Sequence, residues 1–570
     1  MERIWRKSYP PGVPFEADVG AYHSIADLFD RSVAKFGSRT AFVNTDTPIS
    51  YSELERLSGD FGAYLQLALK LQPGARIALM LPNVLQYPIA LFAALRSGYT
   101  VVNCNPLYMP RELRFQLVNS GADAIVVLEN CAWVVTEVIG ATNVRHVVTT
   151  QLGDMLKFPR SITVNFAVRF LKRMVRPWRI PRAVPFRSAL RQGAILRQRG
   201  RQDTQSRIPK DLGPDSIAFL QYTGGTTGTP RGAMLTHRNI IANVQQIDAY
   251  VRSGLEEGHE TVVTALPLYH IFALTVNCLF FFKFGAANLL ISDPRDIANL
   301  IGELRKHPFT VIAGVNTLFN ALLNSPGFAT LDFSHLRLCI AGGMAVQKAV
   351  AIRWRQLTGK PLVEGYGLTE ASPVVTFNPI NLAGYNGSIG LPLPSTDIVV
   401  RDEDGHDLPI GAAGELCVRG PQVMRGYWNA PEETAKAIGS GGFLHSGDVA
   451  TVDQEGFVRI VDRKKDVIKV SGFNVYPNEI EDVIALHEGV LEVGAIGVPD
   501  LNSGEAVKVV VVKRRPDLTA DELIAHCRKH LTGYKVPRHV EFRATLPKTN
   551  IGKILRRSLR RDRPQLPANS

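Results

Sequence analysis

Through its first three quarters the chain alternates between two kinds of segment. In SIADLFDRSVAKF (24–36) and YSELERLSGDFGAYLQLAL (51–69) apolar residues recur every three or four positions, as on one face of a helix. ARIALMLP (75–82) and TVVNCNP (100–106) are short β-rich runs and read as strands. Helices interleaved with such strands predict a layered α/β architecture. After about Asp462 the order changes to strand DVIKV, helix NEIEDVIALH, strands VGAIGV and AVKVVVVK, helix TADELIAHCRKHL and strand HVEFR. Thr519 and Glu522 have the spacing of a capping box for that last helix. Roughly a hundred residues of this kind can hold a core of their own. The expected division is a large N-terminal domain over 1–462, a hinge at 463–466 within the charged run VDRKKD, and a small α+β C-terminal domain over 467–570. The tail DRPQLPANS is expected to be disordered.

Composition narrows the class. The chain has 570 residues, 45% hydrophobic and 21% charged, which fits a globular protein and excludes one disordered throughout. Its most apolar stretch, Ile271 to Phe282, is about half the length of a membrane-spanning helix and runs straight into Lys283. The N-terminus MERIWRKSYPPGVP has no apolar region after its basic residues, so the expected location is cytoplasmic. Six scattered cysteines, with no C-x-x-C pair, argue against a zinc site or a disulfide framework.

Charge is unevenly placed. From Lys157 to Lys210 there are fifteen Lys/Arg and one acid, Asp203, a net of +14; the whole chain carries +13, so the remainder sums to −1. No nucleic-acid-binding module accompanies this segment, and no nucleic-acid partner is expected. Within it, SITVNFAVRFLKRMVR wound as a helix puts Arg169, Lys172, Arg173 and Arg176 on one arc, with Phe166, Phe170, Leu171, Met174 and Val175 on the other. Two readings stand: a helix lying on an anionic membrane surface, here the inner membrane, or a helix packed on its domain with a solvated basic face.

The strongest local signal is YTGGTTGTPRG, Tyr222 to Gly232, after the strand-like run IAFLQ. Small residues let backbone N–H groups approach phosphate oxygens, and threonine hydroxyls add donors. It is not a Walker A loop, because no G-x-x-x-x-G-K-[ST] occurs. Further ordered motifs are LPLYHIFALT (266–275), GYGLTE (365–370), FLHSGD (443–448), DRKKDVIKVSGFNVYPNEIE (462–481) and PKTNIGKILRR (547–557).

With these motifs together, nearly the whole chain resembles the acyl-adenylate-forming ligases, most closely the bacterial long-chain fatty-acyl-CoA synthetases. The resemblance implies a large N-terminal domain of α/β subdomains and a small mobile C-terminal domain. It implies a fatty acid, ATP, Mg²⁺ and CoA as reactants and cofactors. A carboxylate attacks the α-phosphorus of ATP to give acyl-AMP and pyrophosphate, and a thiol then displaces AMP. Two anions must meet, so the site needs Mg²⁺, phosphate donors and a cation at the transition state.

By resemblance Thr223, Gly224, Gly225, Thr226, Thr227 and Gly228 hold phosphates. Glu370, with Thr223, holds Mg²⁺, and Thr369 contacts the α-phosphate. Asp448 takes the ribose hydroxyls, with Arg463 reaching the same ring. Gly342, Gly343 and Tyr366 form the adenine pocket. Lys553 is the mobile lysine of adenylation, Lys465 the hinge, and Gly472 lines the pantetheine path in the second step. One departure is Arg231, where the family pattern has lysine; a planar guanidinium is not equivalent to a compact ammonium. The apolar run Phe272, Leu274, Val276 and Leu279 to Phe282 could line an acyl tunnel or be core. The function expected is long-chain fatty acid:CoA ligation. The alternatives are an aryl-, amino-acid- or carrier-protein-loading ligase, and a membrane-surface fatty-acid sensor without turnover.

Overall fold

The computed structural model describes residues 3–200, 212–223, 230–500, 503–549 and 552–561. The tail from 562, the whole stretch Arg201 to Asp211 and the loop Gly224, Gly225, Thr226, Thr227 and Gly228 lie outside the described residues.

Two large sheets carry the N-terminal domain. In one, seven strands run in the order Val184–Pro185, His146–Thr150, Ala124–Leu128, Arg76–Met80, Thr100–Asn103, Ile217–Thr223 and Arg231–Thr236; all pairs are parallel except the last. In the other, nine strands are centred on the parallel set Ala287–Leu290, Thr261–Thr264, Val311–Gly314, Leu338–Ala341 and Leu362–Gly367. Central strands such as Ala124–Leu128 are buried along their whole length, as parallel strands covered on both faces must be. A four-stranded antiparallel sheet follows and ends at Val458–Arg463. The last sheet, of five strands, is built wholly from residues beyond Ile468. The architecture is the expected α/β class, with a large N-terminal and a small C-terminal domain.

The helices start where local chemistry lets them. Ser24 caps Ile25–Phe36 by accepting from the Asp27 N–H at 3.2 Å, and Thr519 caps Ala520–His530 by accepting from Glu522 N–H at 3.2 Å. Phe282, at the end of the most apolar run, is core: it stacks on Phe29 and Tyr51 with centroids 5.3 and 4.5 Å away. No helix among the described residues is long and apolar enough to cross a membrane. All six cysteines are free thiols, and five of them are buried.

The helix of the basic segment is shorter than expected: Arg160–Phe166 is α-helical, Ala167–Leu171 continues as a π turn, and the chain from Lys172 lacks regular structure, while Arg169, Lys172, Arg173 and Arg176 are all exposed. Arg169 bonds inward to Glu129 at 2.9 Å, and Arg176 lies over the Trp133 ring at 4.5 Å. The inward side is instead polar and small: Ser161 and Val168 are buried, and Asn165 accepts from Gly153 N–H at 2.7 Å. The large apolar side chains are left facing water.

Candidate active site

A cavity of about 1930 Å³ is walled by both domains. On one side stands a hairpin. Strands Ile217–Thr223 and Arg231–Thr236 pair antiparallel with Thr223 opposite Arg231, so the element that follows the glycine- and threonine-rich stretch is a strand and not a helix. The Arg231 guanidinium is ion-paired with Glu433 at 2.5 Å and lies 5.6 Å from the centre of the Tyr427 ring. Glu433 is also bonded to Lys436 at 2.9 Å.

Thr369 and Glu370 reach the cavity from a tight turn after strand Leu362–Gly367. Only glycine permits that turn, because a Cβ on Gly367 would stand 2.2 Å from the Pro373 carbonyl oxygen. One carboxylate oxygen of Glu370 accepts from the Tyr427 hydroxyl at 2.7 Å. Burial and the Glu370 charge push the Tyr427 phenol well above its ordinary range. A single oriented carboxylate with the Thr223 hydroxyl in the same cavity fits Mg²⁺, which takes few protein oxygens and fills its remaining positions with phosphate and water.

Asp448 and Arg463 are opposite each other on adjacent strands. Asp448 is buried, accepts from the Tyr366 hydroxyl at 2.6 Å and pairs with Arg463 Nε at 3.2 Å. Burial first, and the Asp448 charge second, hold the Tyr366 phenol protonated far above its usual pKa. Gly342 and Gly343 line the cavity beside Tyr366, and Gly343 has a φ of +76°, which favours glycine.

Lys553 enters from the small domain. Its N–H donates to Thr549 Oγ1 at 3.0 Å while its carbonyl accepts from Thr549 N–H at 2.7 Å. The preceding residue is tied across the domains: Thr317 Oγ1 donates to the Gly552 carbonyl at 2.9 Å, and Asn320 Nδ2 to the Leu491 carbonyl at 3.0 Å. Burial, then the neighbouring Arg463 charge, pushes the Lys553 ammonium down to about 8. Lys465 also lines the cavity, and its pKa is lowered by the same two causes. Gly472 stands apart. It occupies the turn between Ile468–Val470 and Phe473–Val475 with φ +85°, outside the cavity wall.

An apolar wall divides the run that the sequence left as tunnel or core. Phe272, Val276 and Phe280, four apart on a π-helical turn, line the cavity with Ile247, Val251 and Phe377. Leu274, Leu279, Phe281 and Phe282 are fully buried outside it.

Five functional candidates escaped the sequence reading. Tyr427 and Glu433 orient Glu370 and Arg231, and no pattern joins them to those partners. His270 lies within LPLYHIFALT; burial pushes its imidazole down to about 4, so it is neutral. The Glu364 carboxyl is buried in the cavity wall and pushed up to about 8, although its Oε1 accepts from Val346 N–H at 2.9 Å. Arg556, three residues after Lys553, bonds to Asp462 at 3.0 Å and to Glu481 at 2.9 Å.

Residues 29–428 match the family described as AMP-binding enzyme, and residues 479–553 the AMP-binding enzyme C-terminal domain. The chain is 55% identical over 560 residues to a long-chain-fatty-acid--CoA ligase of Yersinia pestis, and 54% identical over 560 residues to one of Escherichia coli O6:H1, each alignment covering 98% of both chains. Among solved structures, a benzoate CoA ligase from Burkholderia xenovorans LB400 superposes with a TM-score of 0.79 at 26% identity, covering 94% of this chain and 99% of that one. With both family domains matched and full-length relatives above half identity, the chain belongs to the AMP-binding enzyme family, among its bacterial long-chain fatty-acyl-CoA synthetases.

Proposed function

We propose that this protein is an ATP-dependent long-chain fatty acid:CoA ligase. The observation that carries the reading is one cavity in which the phosphate hairpin, the Asp448–Tyr366 pair and Lys553 share walls with the apolar face Phe272, Val276 and Phe280. The polar end suits a nucleotide and the apolar end an acyl chain.

In the first step a fatty-acid carboxylate oxygen bonds to the α-phosphorus of ATP, and the bond to the bridging oxygen breaks to release pyrophosphate. Residues 223–228 and Thr369 hold the phosphates, and Arg231 offsets charge at the leaving end. Asp448 accepts the ribose hydroxyls between Tyr366 and Arg463, and Gly342 and Gly343 admit the adenine edge. Glu370, with Thr223, would hold Mg²⁺, which when bound neutralises phosphate charge. Lys553 supplies the cation for charge that builds on the transferring oxygens. In the second step the CoA thiol, giving up its proton, displaces AMP from the acyl carbon. Residues 463–466 form the hinge between domains 1–462 and 467–570, with Lys465 as its pivot, and rotation there brings Gly472 to the thiol path. The enzyme works in the cytoplasm, against an anionic membrane surface that segment 157–210 meets.

Incubation of the purified protein with oleate, ATP, Mg²⁺ and CoA should yield AMP and oleoyl-CoA in equal amounts. Decanoate, 4-coumarate and amino acids in place of oleate resolve the substrate class. Binding of oleate without AMP formation would mark a sensor rather than an enzyme.

A further inference from the structure

Segment 158–174 presents an apolar ridge to water. Ile162 is 61% exposed, Phe166 54% and Phe170 59%, a row with a spacing of four on the α and π turns, and Phe158, 80% exposed, stands just before them. Leu171 and Met174 extend it, at 72% and 53%. The Phe166 and Phe170 rings flank each other with centroids 5.1 Å apart, and the Arg169 guanidinium lies 6.0 Å from the centre of the Phe170 ring. A row of this size is unusual on a monomer surface and marks an interaction site.

Its surroundings identify the partner. Lys172, Arg173, Arg179 and Arg182 are exposed and make no ion pair among the described residues. No acidic residue occurs between Lys157 and Gln202. Large apolar side chains in a border of cations match the acyl boundary and anionic headgroups of a lipid bilayer. The inward polarity of the segment is fixed by Asn165, Arg169 and Ser161, so the ridge cannot turn into the domain without breaking the Gly153–Asn165 and Arg169–Glu129 bonds.

We infer that the ridge Phe158–Met174 inserts into an anionic lipid surface and that its flanking lysine and arginines hold it there. This rests on the membrane reading above and names the side chains that enter the lipid. The ridge adjoins the cavity rim. Met174 O accepts from Asn130 Nδ2 at 3.3 Å, and next to it Cys131 donates to the Pro106 carbonyl at 3.1 Å. The loop that follows carries exposed Leu107 and Met109, and Met109 is part of the cavity wall. A docked ridge therefore sets that rim beside the lipid.

The test is cosedimentation of the full chain with phosphatidylglycerol-containing vesicles and with pure phosphatidylcholine vesicles. The parent should partition onto the anionic vesicles and shed with salt. Phe158→Ser, Phe166→Ser and Phe170→Ser combined should lower the partition coefficient at least tenfold, as should Lys172→Gln, Arg173→Gln, Arg179→Gln and Arg182→Gln combined. Both variants should keep the parent's rate on detergent-dispersed oleate, because neither set belongs to the cavity wall. Should the serine variant misfold, Phe166→Trp alone decides: brominated lipid should quench its added fluorescence relative to the parent. Parent pelleting matched by the serine variant, or no added quenching, overturns the ridge assignment and leaves the membrane reading standing. No pelleting of the parent overturns both, and concentration-dependent self-association abolished by the serine variant would then assign the ridge to a second copy of the chain.

Discussion

Acyl-AMP formation should fall with an apparent pKa near 8 as pH rises, because in the role proposed for it Lys553 works as a cation, and burial has brought its pKa down to about 8 from the usual 10.5. The sign follows from the direction of the shift: a lowered lysine pKa leaves the ammonium intact below 8 and removes it above. At pH 7.5 about three quarters of the Lys553 side chains are charged and at pH 9 about a tenth, so kcat/KM at limiting ATP should drop about eightfold across that interval. A lysine titrating at its ordinary value would lose only a few per cent. The assay is oleate-dependent pyrophosphate release without CoA, which isolates the first half-reaction. Glu364 shares the cavity and is pushed up to about 8, so the profile of the parent alone does not name the group. Lys553→Arg separates them: it keeps Glu364 but carries its charge past pH 10, and the falling limb should disappear. Lys553→Ala should reduce the same reaction by about 10²- to 10³-fold, the usual cost of one preorganised charge-stabilising group. Thioester formation from supplied acyl-AMP should stay near the parent rate. A limb persisting at pH 8 in Lys553→Arg, or equal loss of both half-reactions in Lys553→Ala, would refute the role.

Arg231→Lys should retain or modestly improve adenylation and Arg231→Ala should weaken ATP use; with Glu433→Gln in a double-mutant cycle, the two positions should couple by about 0.5 kcal/mol or more in the ATP KM, and strict additivity would detach Glu433 from Arg231. Lys465→Pro should slow thioester formation from supplied acyl-AMP more than it slows adenylation, and equal rates in the second step would remove Lys465 as the pivot. Gly193→Ala should destabilise the large domain by about 1–3 kcal/mol in urea unfolding. A Cβ there would sit 1.8 Å from the Asp60 carbonyl oxygen, where helix Phe186–Gly200 crosses Tyr51–Ala63; an unchanged midpoint would mean that the two helices separate without cost.

Period and capping carried the sequence reading furthest where one face of an element meets one environment. Ala520–His530 begins at the expected cap, Thr519, and the chain passes from layered α/β to a compact α+β unit as the change of pattern indicated. The segment after Pro159 shows the limit of that logic. Its hydrophobic arc was identified correctly, but an arc does not say which way it points. Glu129, Asn165 and Gly153 decide that, through contacts between residues far apart in the chain. The active site divides along the same line. Residues inside local motifs, such as Asp448, Tyr366 and Lys553, are brought by the fold to one cavity wall. Tyr427 and Glu433, the partners of Glu370 and Arg231, come from distant parts of the chain, so no spacing exposes them; Arg556 does lie in the motif of Lys553, but its partners Asp462 and Glu481 do not. The apolar run 271–282 stayed ambiguous because a helical turn buried on all sides has no polar face to mark which residues border a cavity.

The contact between Arg556 and Asp462 has a kinetic meaning. Asp462 is fully buried, lies on the large-domain side of the junction, and bonds to both Arg556 and the Asn478 N–H of the small domain. Removing Arg556 while Asp462 stays buried would leave an uncompensated charge, which typically costs about 3–5 kcal/mol. The junction of the two domains is therefore pinned by bonds to one buried carboxylate. On the proposed rotation about 463–466 these bonds must open before the small domain can turn, so the arrangement they hold is the one with Lys553 on the cavity wall, and leaving it is a step distinct from the bond making itself.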